Sequence, residues 1–545
     1  MTTSFNKPDL ILYNGVFKTQ DFSNPFVQAV AIKNGRILNT GEDGEIQLLA
    51  GPRTHSINLE GRLGLPGMID SHFHFFEWAL FKLGLDLKTA NSIQEIKKQI
   101  KDRIDELSSG DWLYGYGWSE NDWPEHRMLN RKDLDEVAPD YPVILWRNDL
   151  HCAAVNSKAL EIAGIDKSTE DPEYGIISRD DTGKPDGILK EYAINLVKRH
   201  ISYPSKNHIL DSMKSGISFL HSVGLTSIHD IHLMGGLLGA DAMKFWHQLW
   251  AIGRLNVRCW ISIPGERLDE AISLGLQSGF GNDRVRIGHL KYFADGSMGA
   301  RTAWMYQPYS DADRGMQMVS MDELQVVFQK ADEAGLSVMV HAIGDRSNGE
   351  LIRCIEKVQL NRKKQLSGKS WDTPLPHRIE HLQMIHPQDI HRLAKLDIVV
   401  SMQPVHLLDD MYMIDSAIGE RGQHCYPFND LVKARVPIIF GSDHPVADPR
   451  PIAGIHAAVN RKTPDGIPKK GWYSEQRISV DEAVRCYTLI PAIVSGSATQ
   501  LGSISPGKIA DIIILDQDIY SIPPEEIIHT QVNTTIFDGQ IVYQR

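Results

Sequence analysis

Cysteine is scarce and scattered in this sequence. The five present, Cys152, Cys259, Cys354, Cys425 and Cys486, form no C-x-x-C pair, so neither a thiolate zinc site nor a disulfide framework is expected. Long apolar runs are missing as well; no stretch approaches the roughly 20 residues a membrane helix needs. Nor is there an excess of positive charge. The 57 Lys and Arg against 69 Asp and Glu leave a net charge of -12, which argues against a nucleic-acid or anionic-membrane partner. The start, MTTSFNKPDLILYNG, lacks a basic region followed by an apolar core, and the expected address is the cytoplasm.

What is present is an ordinary soluble composition, 42% hydrophobic and 23% charged over 545 residues, long enough for more than one structural unit. Both ends read as short strands joined by turns. DLILYNGVF, VQAVAIKNGRILNTG and THSINLEGRLGLPG lie at the front, with Asn14-Gly15 and Asn34-Gly35 as turn formers. ADIIILDQD and HTQVNTTIFDGQIVYQR lie at the back. The expectation is one small β-sandwich domain built from residues 1–66 and 502–545 beside a larger unit spanning 67–501.

The middle alternates Val- and Ile-rich strands with helical patterns. GMIDSHFHF, LTSIHDIH, NVRCWISIP, VRIGHLKYF, GLSVMVHAIG, HRIEHLQ, DIVVSMQP and VPIIFGSDHP supply eight strand candidates. Strand–helix alternation of this kind gives parallel strands with right-handed crossovers, hence an α/β fold and a (β/α)8 TIM barrel. The stretch from about 80 to 215, rich in Trp and Gly (DWLYGYGWSENDWPEH), is too long for one crossover and reads as an insertion after the first barrel strand.

Six polar residues sit late in these strands: His72 and His74, Lys291, His341, His381 and Asp443. Barrel strand ends meet on the C-terminal face, where active sites form. Because side chains alternate along a strand, His72 and His74 should point the same way and chelate one cation. A lone strand-end His, Asp or Lys is usually a core or salt-bridge residue. The ordered set, H-x-H on the first strand, Lys on the fourth, His on the fifth and sixth and Asp on the eighth, is what points to a metal-dependent enzyme.

That order resembles the amidohydrolase superfamily. GLPGMIDSHFHF, KYFADGSMGARTA, VHAIGDRSN, RIEHLQMIHPQDI, VSMQPVH and GSISPGKIADIIILDQD resemble the branch that includes N-substituted formamide deformylase. The resemblance implies that His72, His74 and Asp443 hold one divalent ion and His341 and His381 a second. Lys291 would bridge them as a carboxylated lysine, because an ammonium cannot ligate a cation whereas a carbamate offers two anionic oxygens. Zinc is the expected metal, as one or two ions, since neutral imidazoles and carboxylates suit it and no redox chemistry is implied. Asp443 would accept a proton from water and return it to the leaving nitrogen.

His151, His229, Trp118, Asp295 and Arg301 are a second tier of substrate-binding candidates, each also readable as structural; Asp295 and Arg301 flank a Gly-rich turn after the fourth strand. Phe73, Phe75, Phe76, Trp78 and Trp123 read as core or pocket wall. The Trp-rich insertion leans toward a neutral, partly apolar substrate. The expected partners are a small amide-type molecule and a second copy in a homodimer. Two other readings stand beside this one. The pentapeptide His377-Arg378-Ile379-Glu380-His381 matches the inverted zinc-protease motif H-x-x-E-H. The chain also admits a non-catalytic barrel acting as a binding or regulatory protein. Within the hydrolases, imide and lactone hydrolysis uses the same cage as amide hydrolysis.

Overall fold

The computed structural model describes residues 7–108, 110–120, 123–233, 238–365 and 374–545. Residues 1–6 of the N-terminal string, and Asn121 and Asp122 of the Trp-rich string, lie outside them. At its centre are eight strands: β1 (Met68–Phe73), β2 (Leu225–Asp230), β3 (Arg258–Pro264), β4 (Val285–Phe293), β5 (Val338–Ala342), β6 (His377–His381), β7 (Ile398–Met402) and β8 (Ile438–Phe440). Neighbours pair in parallel, in chain order. The ring closes where the Asp443 amide donates to the His72 carbonyl at 2.7 Å and the His74 amide donates to the His444 carbonyl at 2.9 Å. The (β/α)8 barrel expected from the eight strings is therefore present. Its strands are almost wholly buried, as parallel strands covered by helices must be.

Closure needs a glycine. A Cβ on Gly441 would stand 2.5 Å from the His72 backbone nitrogen and 2.9 Å from Asp70 Oδ1, so β8 approaches β1 only because that position has no side chain.

The two chain ends do meet. A sheet ordered Arg36–Gly41, Ala29–Lys33, Leu10–Tyr13, His55–Asn58 faces a second in which Leu63–Pro66 runs antiparallel to Ile512–Leu515. Leu10, Leu12, Val30 and Ile32 share one core with Phe17, Ile512, Ile514 and Ile536. Arg258, at the start of β3, ties this β-layer to the foot of the barrel by pairing with Asp511 at 3.0 Å.

Between β1 and β2 the chain builds a further mixed sheet of six strands, ordered Gly175–Arg179, Pro185–Glu191, Cys152–Val155, Val143–Arg147, Leu113–Trp118, Leu85–Asp86. Helix Lys206–Ser222 then leads into β2. This sheet has a core of its own, containing Ile96, Ile100, Trp118, Trp123, Leu134 and Leu145. Among the described residues no helix is long and apolar enough to cross a membrane.

Candidate metal centre

The strand ends deliver the six residues to one cavity, which His72, His74, Lys291, His341, His381 and Asp443 all line. The rings of His72 and His74 stand 5.3 Å apart, those of His72 and His381 4.8 Å, and those of His341 and His381 4.4 Å. Donor atoms of His72, His381 and Asp443 lie within 4.8 Å of one another. His74 reaches the same carboxylate, with Nε2 2.8 Å from Asp443 Oδ1.

Two of these residues reach the cavity only through unusual backbone. His381 has φ +72° and Asp443 φ +61°, the left-handed region that costs a residue with a Cβ of order 1 kcal/mol or more. The turn at His381 breaks strict alternation. His377 packs outward against Phe328, with ring centroids 5.1 Å apart, and its Nδ1 accepts from the Val338 amide. His381 swings into the barrel mouth. The H-x-x-E-H pentapeptide is thus a strand whose two histidines face different layers, and a helical zinc-protease site is excluded.

Second partners fix the tautomers. His72 Nδ1 lies 2.5 Å from Glu380 Oε2, His74 Nδ1 2.6 Å from the Ile231 carbonyl, and His381 Nδ1 2.8 Å from Gln403 Oε1. An Nδ1–H donated to each oxygen turns Nε2 toward the cavity, the atom through which each imidazole would bind a cation; burial opposes a charge on His74, but the Asp443 carboxylate beside its Nε2 raises its pKa. His341 is held the other way round, with Nε2 3.2 Å from the Gly296 carbonyl, leaving Nδ1. Burial pushes His72 down to about 4 and drives His341 and His381 well below the ordinary imidazole range, so these rings are neutral. Burial opposes the Asp443 carboxylate, but the histidines around it, with His74 Nε2 in hydrogen-bond reach, hold it well below the usual range.

The donor set fits a cation. His72 Nε2 is buried without a hydrogen bond, 3.4 Å from Asp443 Oδ1, and an unsatisfied buried polar atom of this kind is costly. Three neutral imidazoles and a carboxylate are the ligands of a divalent metal rather than of a proton. Lys291 is buried over the Phe293 ring at 4.6 Å and has no hydrogen bond or ion pair among the described residues. Desolvation brings its amine down to about 8.

The second tier divides. His151 arrives from the inserted sheet, its Nδ1 2.7 Å from the buried Glu191 and its ring 5.2 Å from His341, and it lines the cavity. His229 lies beneath the cage, where its Nδ1 accepts from Arg378 at 2.7 Å. Asp295 is wholly buried and accepts from the backbone amides of Trp304, Ile343 and Gly344, an arrangement that shapes the loop carrying the Gly296 carbonyl. Arg301 pairs with Asp311. Trp118 donates to the Leu145 carbonyl, and Trp123 to that of Ala90, inside the insertion's own core. None of these last five side chains lines the cavity, and of the insertion's tryptophans Trp146 does. Phe73, Phe75 and Trp78 pack on one another at 5.7–5.9 Å. Phe76 stacks on Phe245.

Two positions, Gln403 and His406, were not singled out from the string that contains them, and a third, Glu380, was read only as the base of the protease motif. Glu380 orients His72 rather than acting as a protease base. Gln403 orients His381. His406 stands with Nε2 3.6 Å from Asp443 Oδ2, buried and without a hydrogen bond. Both Gln403 and His406 fall in VSMQPVH, but nothing in their spacing marks them as partners of the cage.

Known proteins point the same way. Over 520 residues the chain is 33% identical to Protein LONG AFTER FAR-RED 3 of Arabidopsis thaliana, covering 93% of this chain and 87% of that one. It is 27% identical to N-substituted formamide deformylase of Arthrobacter pascens, covering 98% of each. An uncharacterized metal-dependent hydrolase from Pyrococcus furiosus superposes with a TM-score of 0.72 and 26% identity, over 94% of this chain and all of that one. The model of the amidohydrolase family matches residues 55–543, and the chain belongs to that family.

Proposed function

We propose that this chain hydrolyses a carbon–nitrogen bond other than a peptide bond in a small amide-type molecule, with N-substituted formamides the first class to test. The observation that carries the reading is the convergence of imidazole nitrogens on one ionised carboxylate. His72, His74 and Asp443 would hold one divalent ion, zinc by ligand type, and His341 and His381 a second. The chemistry such a cation supplies is Lewis acidity, lowering the pKa of water toward neutrality and polarising a carbonyl oxygen.

The rest is done by the chain. Asp443, ionised and fixed by its left-handed backbone, accepts the proton of the attacking water on a carboxylate oxygen. It returns that proton to the leaving nitrogen, so the C–N bond breaks to a neutral amine. Glu380, Gln403 and the Ile231 carbonyl keep the imidazoles in the ligating tautomer throughout. Lys291, carboxylated by carbon dioxide, would add two anionic oxygens to the cage; a buried amine with no ion pair among the described residues supports that reading.

The test is a hydrolysis screen on zinc-loaded protein over N-formyl amines, N-acyl amino acids, cyclic imides and lactones. Release of amine from amides is expected. Turnover of lactones alone would overturn the amide assignment, and no turnover of any class would overturn the hydrolase.

A further inference from the structure

Beyond the cage, the cavity runs on to Trp146, Leu150, Ile194 and Leu233, and there it meets two polar side chains from one short helix, Ile194–Lys198. Asn195 and Lys198 are three residues apart and so share a helix face. Asn195 is 8% exposed and Lys198 6%. Neither side chain has a hydrogen bond or an ion pair among the described residues. Buried ammonium groups are almost always paired, because desolvating an isolated charge is expensive.

Burial pushes the Lys198 amine down, and the charge that opposes this is Glu77, which makes no ion pair with it. Its Oε1 accepts from the Leu233 amide at 3.4 Å and faces His232 Nδ1 at 3.9 Å, while its Oε2 is buried without a hydrogen bond, to Lys198 or to any other described residue. A lysine placed to neutralise Glu77 would contact it. Lys198 instead lines the same cavity as the six cage residues, with the Asn195 side chain beside it; the carboxylates that also line the cavity, Asp149 and Glu191, are paired with Arg147 and His151.

We propose that Lys198 and Asn195 form an anion subsite that receives a carboxylate of the substrate, so that the preferred substrates are N-acyl amino acids and related amides bearing an apolar group and a carboxylate. The ammonium and the Asn195 amide match the two oxygens of a carboxylate. The class of substrate rests on the hydrolase reading above; the subsite itself does not. It also reverses the lean toward neutral substrates. That lean came from Trp118 and Trp123, which pack in the insertion's core, whereas a buried cation lines the cavity itself.

The probes are N-formyl-phenylalanine, as both enantiomers, and its neutral counterpart N-formyl-phenylalaninamide. Binding is measured by calorimetry on zinc-loaded protein, and formate release is measured separately. Hydrolysis consumes one water, breaks the C–N bond and places the proton on nitrogen, giving formate and phenylalanine.

Wild-type protein should bind the acid more tightly than the amide. Lys198→Met should weaken the acid roughly ten- to a hundredfold, as loss of a hydrogen bond to a charged group does, and leave the amide unchanged. Any attraction of the carboxylate to the cage is common to both proteins and cancels in that comparison. Lys198→Gln, which keeps the stem and an N–H donor, should show the same selective loss and serves if Lys198→Met does not fold.

Equal affinity of wild type for acid and amide, or an equal loss of both in the variants, overturns the subsite. Selective, Lys198-dependent binding without formate release would leave the subsite standing and overturn hydrolysis of this class.

Discussion

Glu380 is the residue on which fold and site depend together, and Glu380→Gln separates the two. In the barrel interior its carboxylate takes Arg378 Nε at 2.8 Å and Nη2 at 3.0 Å, and holds His72 Nδ1 at 2.5 Å. Arg378 is 1% exposed and Glu380 0%. The substitution keeps shape but removes the charge, leaving a buried guanidinium uncompensated, at a cost of about 3–5 kcal/mol.

The effect on His72 is more specific. A carboxylate can only accept, so His72 must carry its proton on Nδ1 and present a bare Nε2 to the cavity. A Gln side chain that satisfies Arg378 with its oxygen turns its N–H2 toward Nδ1. It then donates to that nitrogen, and the ring proton moves to Nε2, where it blocks ligation. Loss of a partner of this kind lowers metal affinity about 10- to 100-fold. Metal content after dialysis against graded chelator, read by mass spectrometry, measures this directly, and circular dichroism confirms the fold. A Glu380→Gln protein that is folded and holds metal as tightly as wild type would refute the tautomer argument.

Asp443→Asn retains an oxygen toward the cage but cannot take a proton. It should keep much of its metal and lose roughly a hundred- to ten-thousandfold in kcat; a rate near wild type in steady-state assays would rule out the proton-transfer role. Lys291→Ala should lower metal content, and acetate or propionate added with zinc should restore part of the rate by supplying the missing carboxylate oxygens. Unchanged metal and rate would remove Lys291 from the centre. Trp118→Ala should destabilise the insertion by about 3–5 kcal/mol, as for other large core truncations, and leave relative kcat/KM across the substrate panel unchanged. A shift in selectivity without loss of stability would return Trp118 to the substrate.

The barrel and its rim were legible because both are set by local pattern. A parallel strand buried on both faces reads as a short Val/Ile run, and a ligand at its C-terminal end reads as a polar residue closing that run, as in LSVMVH and VPIIFGSD. His377 and His381 show the limit. Alternation puts them on one side, whereas a backbone φ of +72° at His381 sends them to different layers, and nothing in HRIEH announces a left-handed turn at a histidine. Asp295 and Arg301 looked like substrate contacts because they flank a Gly-rich turn beside the fourth strand. Their partners, three backbone amides and Asp311, are tertiary and leave no trace in spacing.

The cavity wall is harder to read for a different reason. Its members come from segments far apart in the chain: Trp146 and Leu150 from the inserted sheet, Asn195 and Lys198 from a five-residue helix, Leu233 from the loop after β2, Phe293 from β4 and Val446 from beyond β8. Composition gave the insertion's tryptophans the leading part, but burial sorts them by layer. Trp118 and Trp123 fill the core that lets the inserted sheet fold, and Trp146, on the opposite face of that sheet, packs with the barrel core and lines the cavity. Specificity in this chain is therefore carried less by how apolar the insertion is than by which few polar groups it leaves unpaired at the barrel mouth. A cage common to many reactions becomes selective for one substrate class at Lys198, in a helix with no sequence motif of its own.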